Sequence, residues 1–160
     1  VRPCRGVGSD LSPEAVGLAR RNSRHLGLQD RVEFREGDFF APFETKGFLG
    51  QADMVVCNPP YISSPKVEEM PVEISVYEPR MAFDGGPFGV NFMLRLVREA
   101  HRFLRPGSWL CFEVGLGQGR AMEAKCKAAG HYRRVEAVRN SEGQIRAILA
   151  QTTATDNPAA

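Results

Sequence analysis

Ala52-Asp53-Met54-Val55-Val56-Cys57-Asn58-Pro59-Pro60-Tyr61 reads as a strand with an abrupt end. The run from Ala52 to Cys57 is apolar and strand-like, and two prolines follow one residue later. Proline has no N–H to give to a ladder, so pairing must stop and the chain leaves the sheet at Asn58. The carbonyls of Asn58 and Pro59 then have no regular ladder role, and an amide side chain stands beside them. That makes a compact acceptor site, suited to a planar –NH₂ group. The plainer alternative is a polar turn after a strand, although turn chemistry alone rarely calls for Pro-Pro-aromatic after Asn.

Working outward, Gly6–Asp10 reads as the end of a short strand. Ser12-Pro13-Glu14 is a helix start, with Ser as cap, Pro at the first helical position and Glu in the first turn. Ala15, Leu18, Ala19 and Leu26 recur at helical spacing, and Gly27 ends the run. Val32–Glu36 is a second strand, and Ala52–Cys57 a third. The segment from Pro59 to about Gly89 is rich in Pro and Gly and too long for an ordinary connection, which suggests a binding loop or lid. A helix resumes near Phe88, with Val90, Met93, Leu94, Val97, Ala100 and Leu104 on one face, and Arg105-Pro106-Gly107 breaks it. Trp109–Val114 is a fourth strand, and Gln118–Ala129 a helix ending at Gly130. Tyr132–Val138 and Gln144–Ala150 read as a hairpin. Strand and helix alternate and a hairpin closes the pattern. The expected fold is a doubly wound α/β sheet, mostly parallel, with an antiparallel edge. It forms one domain over residues 1–151, followed by a flexible tail at 152–160.

Composition is that of a globular protein, and a formal charge of +2 gives no argument for a nucleic-acid partner. No apolar run approaches membrane-spanning length, and no signal-peptide pattern is present. The four cysteines, Cys4, Cys57, Cys111 and Cys126, are far apart and lack metal-ligand spacing. Cys57 and Cys111 read as buried thiols, which suits a reducing, cytoplasmic compartment. His25, His101 and His131 read as surface or capping residues, and none belongs to a recognisable triad.

In such a sheet, ligands bind beyond the carboxyl ends of the strands. The first three strands end in Asp10, Asp38 and Asn58. A carboxylate at Asp10 suits both hydroxyls of a ribose; it also suits the dipole of the following helix. Asp38, in Gly37-Asp38-Phe39-Phe40, suits an adenine amino group with Phe39 against the ring; it also suits a turn followed by core aromatics. Together the two acids favour an adenosine-type ligand. Asn58 then stands where a second substrate would meet it. The Asn58 side-chain oxygen and the Pro59 carbonyl suit the two N–H bonds of an amide or exocyclic amine, and Tyr61 supplies a flat wall. Nothing in this arrangement calls for a metal. Glu113-Val114-Gly115-Leu116-Gly117-Gln118-Gly119 is a Gly-rich strand-to-helix turn without the G-x-G-x-x-G order, and reads as tight packing rather than phosphate binding.

Five stretches, taken in order, resemble one family. They are Asp10-Leu11-Ser12-Pro13-Glu14-Ala15, Gly37-Asp38-Phe39-Phe40, Asn58-Pro59-Pro60-Tyr61-Ile62, Glu78-Pro79-Arg80-Met81-Ala82-Phe83-Asp84-Gly85-Gly86 and Glu113–Gly119. The chain is similar to the class I S-adenosylmethionine-dependent methyltransferases, specifically the protein-(glutamine-N5) methyltransferases that act on peptide chain release factors. Asn-Pro-Pro-Tyr alone is shared with enzymes that methylate amino groups of adenine or guanine; the Glu-Pro…Asp-Gly-Gly and Gly-x-Gly-Gln-Gly stretches narrow the resemblance.

It implies a Rossmann-like sheet and S-adenosyl-L-methionine as cofactor, bordered by Asp10, Leu11, Asp38, Phe39 and Asn58. It implies that Asn58, Pro59, Pro60 and Tyr61 carry catalysis and hold the target glutamine, with Glu78 also on the substrate side. The implied partner is the Gly-Gly-Gln region of a release factor, with no membrane and no direct nucleic-acid binding. Relative to the family, a strand and Gly-rich turn before Val1 are missing, so the strands ending at Asp10 and Cys57 are expected to lack a shared neighbour. The chain alone is accordingly expected to be weakly active or inactive. Two other readings compete: an amino methyltransferase of DNA or RNA, acting on adenine N6 or guanine N2, and a non-catalytic homologue.

Overall fold

β1 (Gly6–Asp10) and β2 (Val32–Glu36) pair in parallel, Gly6 opposite Val32 and Asp10 opposite Glu36. α1 (Pro13–His25) joins them. It begins as its sequence requires: Ser12 Oγ accepts the Ala15 N–H at 3.1 Å and Pro13 occupies the first turn, where a missing N–H costs nothing. The computed structural model describes residues 4–69 and 80–154. Within them the chain divides into two units, Val1–Leu49 and Gly50–Ala160.

The N-terminal unit contains β1, α1 and β2, and few of its side chains are buried. Val16 and Ser23, seven residues apart on α1, are buried with Phe43. Leu18 and Leu26, expected on the buried stripe, are 50% and 66% exposed. A two-stranded ribbon covers only one narrow side of a helix, so the second apolar row stays uncovered.

The C-terminal unit holds a four-stranded sheet, ordered β3 (Ala52–Cys57), β4 (Leu104–Glu113), β6 (Ile145–Thr152), β5 (Tyr132–Arg139). β3 and β4 run parallel; β6 is antiparallel to both β4 and β5. Among the described residues β1 pairs only with β2 and β3 only with β4. Both faces of the α/β pattern are present: parallel strands joined through helices, and an antiparallel hairpin at the end.

α2 (Ser64–Glu68) is a short turn of helix; α3 (Asn91–Glu99) and α4 (Gly119–Ala128) are longer. Met93, Leu96 and Val97 of α3, Met122 and Cys126 of α4, and Leu110, Phe112 and Ile148 of the sheet form the core. Tyr132 Oη donates to the Val97 carbonyl at 2.9 Å, which ties β5 to α3 inside that core.

β4 begins five residues earlier than its apolar run predicts. Ala52 pairs with Leu104 and Met54 with Trp109, so Arg105-Pro106-Gly107-Ser108 bulges out opposite Asp53. The bulge survives because side chains of β6 serve its backbone. Thr152 Oγ1 accepts the Ser108 N–H at 3.1 Å and donates to the Arg105 carbonyl at 2.8 Å; Gln151 Nε2 donates to the Gly107 carbonyl at 2.7 Å. Thr152, expected as the first tail residue, is therefore buried as the last residue of β6. Cys57 and Cys111 are half-buried rather than buried; Cys111 lies opposite Val56, which is 72% exposed, and Cys57 ends β3 at the border of the sheet.

Candidate active site

The parallel pairing of β1 with β2 brings two of the predicted acids to one edge. The Asp10 carbonyl accepts the Gly37 N–H at 2.9 Å, so Asp38 follows directly beside the end of β1. Asp10 Oδ1 accepts the Ser12 N–H at 2.9 Å, and among the described residues Oδ2 has no partner. Phe39 has φ 57°, a left-handed conformation that costs a non-glycine residue about 1 kcal/mol. Ser9 Oγ, donating to the Phe39 carbonyl at 2.6 Å, holds it there. Asp10, Asp38 and Leu11 are exposed and Phe39 is half-buried. Two accessible carboxylates and two apolar side chains at the carboxyl ends of parallel strands are a set of acceptors and apolar surfaces that fits a nucleoside's hydroxyls, amino group and ring.

In the other unit, β3 ends at Cys57 opposite Phe112. Asn58 is exposed directly after it, Pro59 is buried, and Pro60 and Tyr61 are half-buried. The Cys57 thiol is pushed up to about 11 by burial, so it stays neutral near pH 7 and is no nucleophile beside Asn58.

The segment after Asn58 is held by the long loop. Ile62 N–H donates to the Phe83 carbonyl at 3.0 Å and Gly85 N–H to the Ile62 carbonyl at 2.8 Å. The Asp84 carboxylate accepts the Ser64 hydroxyl at 2.6 Å, the Gly86 N–H at 2.9 Å and Arg80 Nε at 3.2 Å. The Ser64 hydroxyl first, then Gly86 N–H, hold that carboxyl below its usual range. Asp84-Gly85-Gly86 is thus a loop staple that fixes the exit from Asn58–Tyr61. Gly85 and Gly89 permit the close approach: a methyl group on Gly85 would lie 2.7 Å from the Pro60 carbonyl oxygen, and one on Gly89 2.2 Å from that of Tyr61. Glu78 lies outside the described residues.

Two supports went unread in the sequence. Tyr61 Oη donates to Glu113 Oε1 at 3.1 Å, and Arg146 Nη2 donates to the same oxygen at 2.8 Å. Gln118 Nε2 donates to the Tyr61 carbonyl at 2.9 Å. The one available signal was a glutamine set among the glycines at 115, 117 and 119. An open cleft of about 490 Å³ passes Tyr61, Phe88, Leu116, Gln118 and Arg146, with Lys66 also in its lining. Among the described residues no group of His, Cys, Asp and Glu is arranged to hold a metal ion, and no helix is long and apolar enough to cross a membrane.

Known proteins resemble this chain over most of its length. It is 38% identical over 146 residues to a release factor glutamine methyltransferase of Moorella thermoacetica, covering 91% of this chain and 50% of the relative. A protein of the same description from Caulobacter vibrioides is 35% identical over 155 residues, covering 97% of this chain and 52% of its own length. The chain thus spans about half the length of these curated relatives. In structure it is similar to a methyltransferase from Pyrococcus furiosus, with a TM-score of 0.63, 20% identity and coverage of 94% of this chain and 64% of that one. That likeness shows the fold, an α/β methyltransferase sheet. Residues 2–151 match the family described as methyltransferase domain, and the chain belongs to it.

Proposed function

We propose that this chain is the catalytic part of an enzyme that transfers a methyl group from S-adenosyl-L-methionine to the side-chain amide nitrogen of a glutamine in a peptide chain release factor. Residues 1–151 would belong to its catalytic domain and the protein would work in the cytoplasm. The observation that carries the reading is Asn58, exposed directly beyond a strand end with the following residues held by hydrogen bonds. The relatives' description supplies the substrate class.

Asp10, Leu11, Asp38 and Phe39 would hold the cofactor, with Asn58 also proposed to border it; its sulfonium would supply an electrophilic methyl group, and the S–C bond would break to leave a neutral thioether. An amide nitrogen is a poor nucleophile because its lone pair is delocalised. Asn58 Oδ1 and the Pro59 carbonyl would each accept one of its N–H bonds, which directs the lone pair outward and favours pyramidalisation as the N–C bond forms. The proton shed afterwards can pass to solvent, since Asn58 is exposed. Tyr61 would bound the amide plane, and Glu78 is proposed on the substrate side.

The deciding experiment is a methyl-transfer assay with a release factor and a Gly-Gly-Gln peptide, run on this chain and on one extended at its N-terminus. Methylation of the glutamine amide is the expected outcome with the extended chain. Transfer to an oligonucleotide amino group instead, or to neither substrate, would overturn the reading.

A further inference from the structure

The Gly-Leu-Gly-Gln-Gly turn after β4 has no part in the chemistry assigned so far. Its first four residues form a turn closed by Gln118 N–H to the Gly115 carbonyl at 3.1 Å, with Gly117 at φ 83°. The turn carries the Gln118 side chain back across its own start. Oε1 accepts the Gly115 N–H at 2.9 Å. Nε2 faces three carbonyl oxygens: Tyr61 at 2.9 Å, Gly89 at 3.1 Å and Phe88 at 3.3 Å. One donor on one side and three acceptors on the other fix which way the amide lies. These partners come from separate parts of the chain: the Asn58–Tyr61 segment, the end of the long loop, and the end of β4. Nor is there room to move: a methyl on Gly115 would stand 2.6 Å from Oε1 and 3.0 Å from the Tyr61 ring.

From this clamp we infer that Gln118 is a positioning residue for the acceptor segment, holding the Tyr61 carbonyl so that Asn58 and Pro59 meet the substrate amide in one fixed geometry. The inference rests on the function proposed above. Gln118 touches neither reacting group in this role; it acts through Tyr61. A primary amide is the one neutral side chain that supplies an acceptor and two N–H donors together. A carboxylate of the same shape would satisfy Gly115 but turn an oxygen toward three carbonyls.

The test compares Gln118→Glu and Gln118→Met with the parent in two readouts. Amide hydrogen exchange follows Ile62, Gly85 and Gly89 against Leu110 and Phe112 of β4. In both variants the first three should exchange faster by about ten-fold, while the β4 amides stay as in the parent. In the form active in methyl transfer, kcat should fall by about ten-fold or more while KM for S-adenosyl-L-methionine stays within about two-fold. Gln118→Glu should recover part of its kcat, relative to the parent, as pH falls and its carboxyl regains a donor proton. Unchanged exchange at Ile62, Gly85 and Gly89 would overturn the inference. So would acceleration spread equally over β4, which means general loosening, or a raised KM with kcat intact. If Gln118→Met does not fold, the isosteric Gln118→Glu decides. If the parent methylates no glutamine peptide, the proposed function fails, and the exchange pattern still decides whether Gln118 positions the segment.

Discussion

Around Asn58-Pro59-Pro60-Tyr61, backbone and side chains from β4, β6 and the 84–89 loop close on the segment. Around Asp10 and Asp38, one helix and two strands are what the N-terminal unit offers. The first arrangement rests on a core with Met93, Phe112 and Ile148 almost wholly buried; the second rests on Val16, Phe43 and Ser23. A lone two-stranded ribbon is marginal in water, and the exposed Val7, Leu11, Leu18 and Leu26 show how little apolar surface this one hides. On the proposed function, the difference would separate two tasks. Aligning an amide nitrogen, which needs groups held to a fraction of an ångström, would fall to the more deeply packed unit. Binding hydroxyls and an amino group with two carboxylates would fall to the thinner one.

The largest expected effect tests the packing contrast. Phe112→Ala should cost about 3–5 kcal/mol, because it opens a cavity inside the four-stranded unit. Val16→Ala removes two methyl groups from the thinner unit and should cost about 1.5 kcal/mol. Trp109, the single tryptophan, lies in β4 and reports unfolding of the C-terminal unit by fluorescence in urea. Equal losses from the two substitutions, or a shift of the Trp109 transition by Val16→Ala as large as that by Phe112→Ala, would erase the contrast.

Next comes the division of labour. Asn58→Ala should lower kcat by about 10²–10³-fold, the scale of losing a preorganised polar group at the reacting centre, with cofactor affinity nearly intact. Asp10→Asn should do the reverse, weakening cofactor binding while kcat at saturation is retained. Calorimetry and initial rates on an active form check both. Unchanged turnover in Asn58→Ala would reject its role, and loss of kcat alone in Asp10→Asn would place Asp10 in the chemistry.

A third, smaller effect concerns the bulge that lets β3 and β4 end together. Thr152→Val keeps the shape but leaves the Ser108 N–H and the Arg105 carbonyl without their partner, at a cost of about 1–3 kcal/mol. A shift below about 0.5 kcal/mol in the Trp109 transition would mean that the bulge satisfies itself.

Signals that act on their own stretch of backbone are legible in the sequence. Ser12-Pro13 fixed the start of α1, and the prolines at 59 and 60 fixed the end of β3, because each signal acts on its own backbone. Arg105-Pro106-Gly107 was read as a break, since its partners Gln151 and Thr152 are more than forty residues away. Leu18 and Leu26 form an apolar row whose periodicity is real, but periodicity does not tell whether anything covers it. The same limit hid half of the site. Asn58 announces itself beside Pro-Pro, whereas Gln118, Glu113 and Arg146 gain their meaning only when β4, β6 and the 59–89 loop converge on Tyr61.

The smallest effect lies in the C-terminal unit itself. His101 and His131 stack with ring centroids 3.7 Å apart and planes 9° from parallel, although both read as plain surface or capping positions in sequence. Burial first, then the neighbouring His131 and Arg102, lower the His101 pKa from its ordinary value; a backbone hydrogen bond with Arg98 opposes them. The sign follows from proton counting. Below an unfolded pKa of about 6.5 the unfolded chain takes up a proton that folded His101 resists. Stability is thus full above that pH and falls as pH drops from there toward the folded pKa. Urea midpoints followed by Trp109 fluorescence should decline from pH 7.5 to 5.5, ahead of the carboxylates. His131→Ala removes the neighbouring ring that stacks on His101 but leaves Arg102 and the rest of the burial, so the decline should become shallower without vanishing. An unchanged slope would mean that His131 contributes nothing, and a rise in stability toward pH 5.5 would mean that folded His101 takes up a proton more readily than the unfolded chain, reversing the sign.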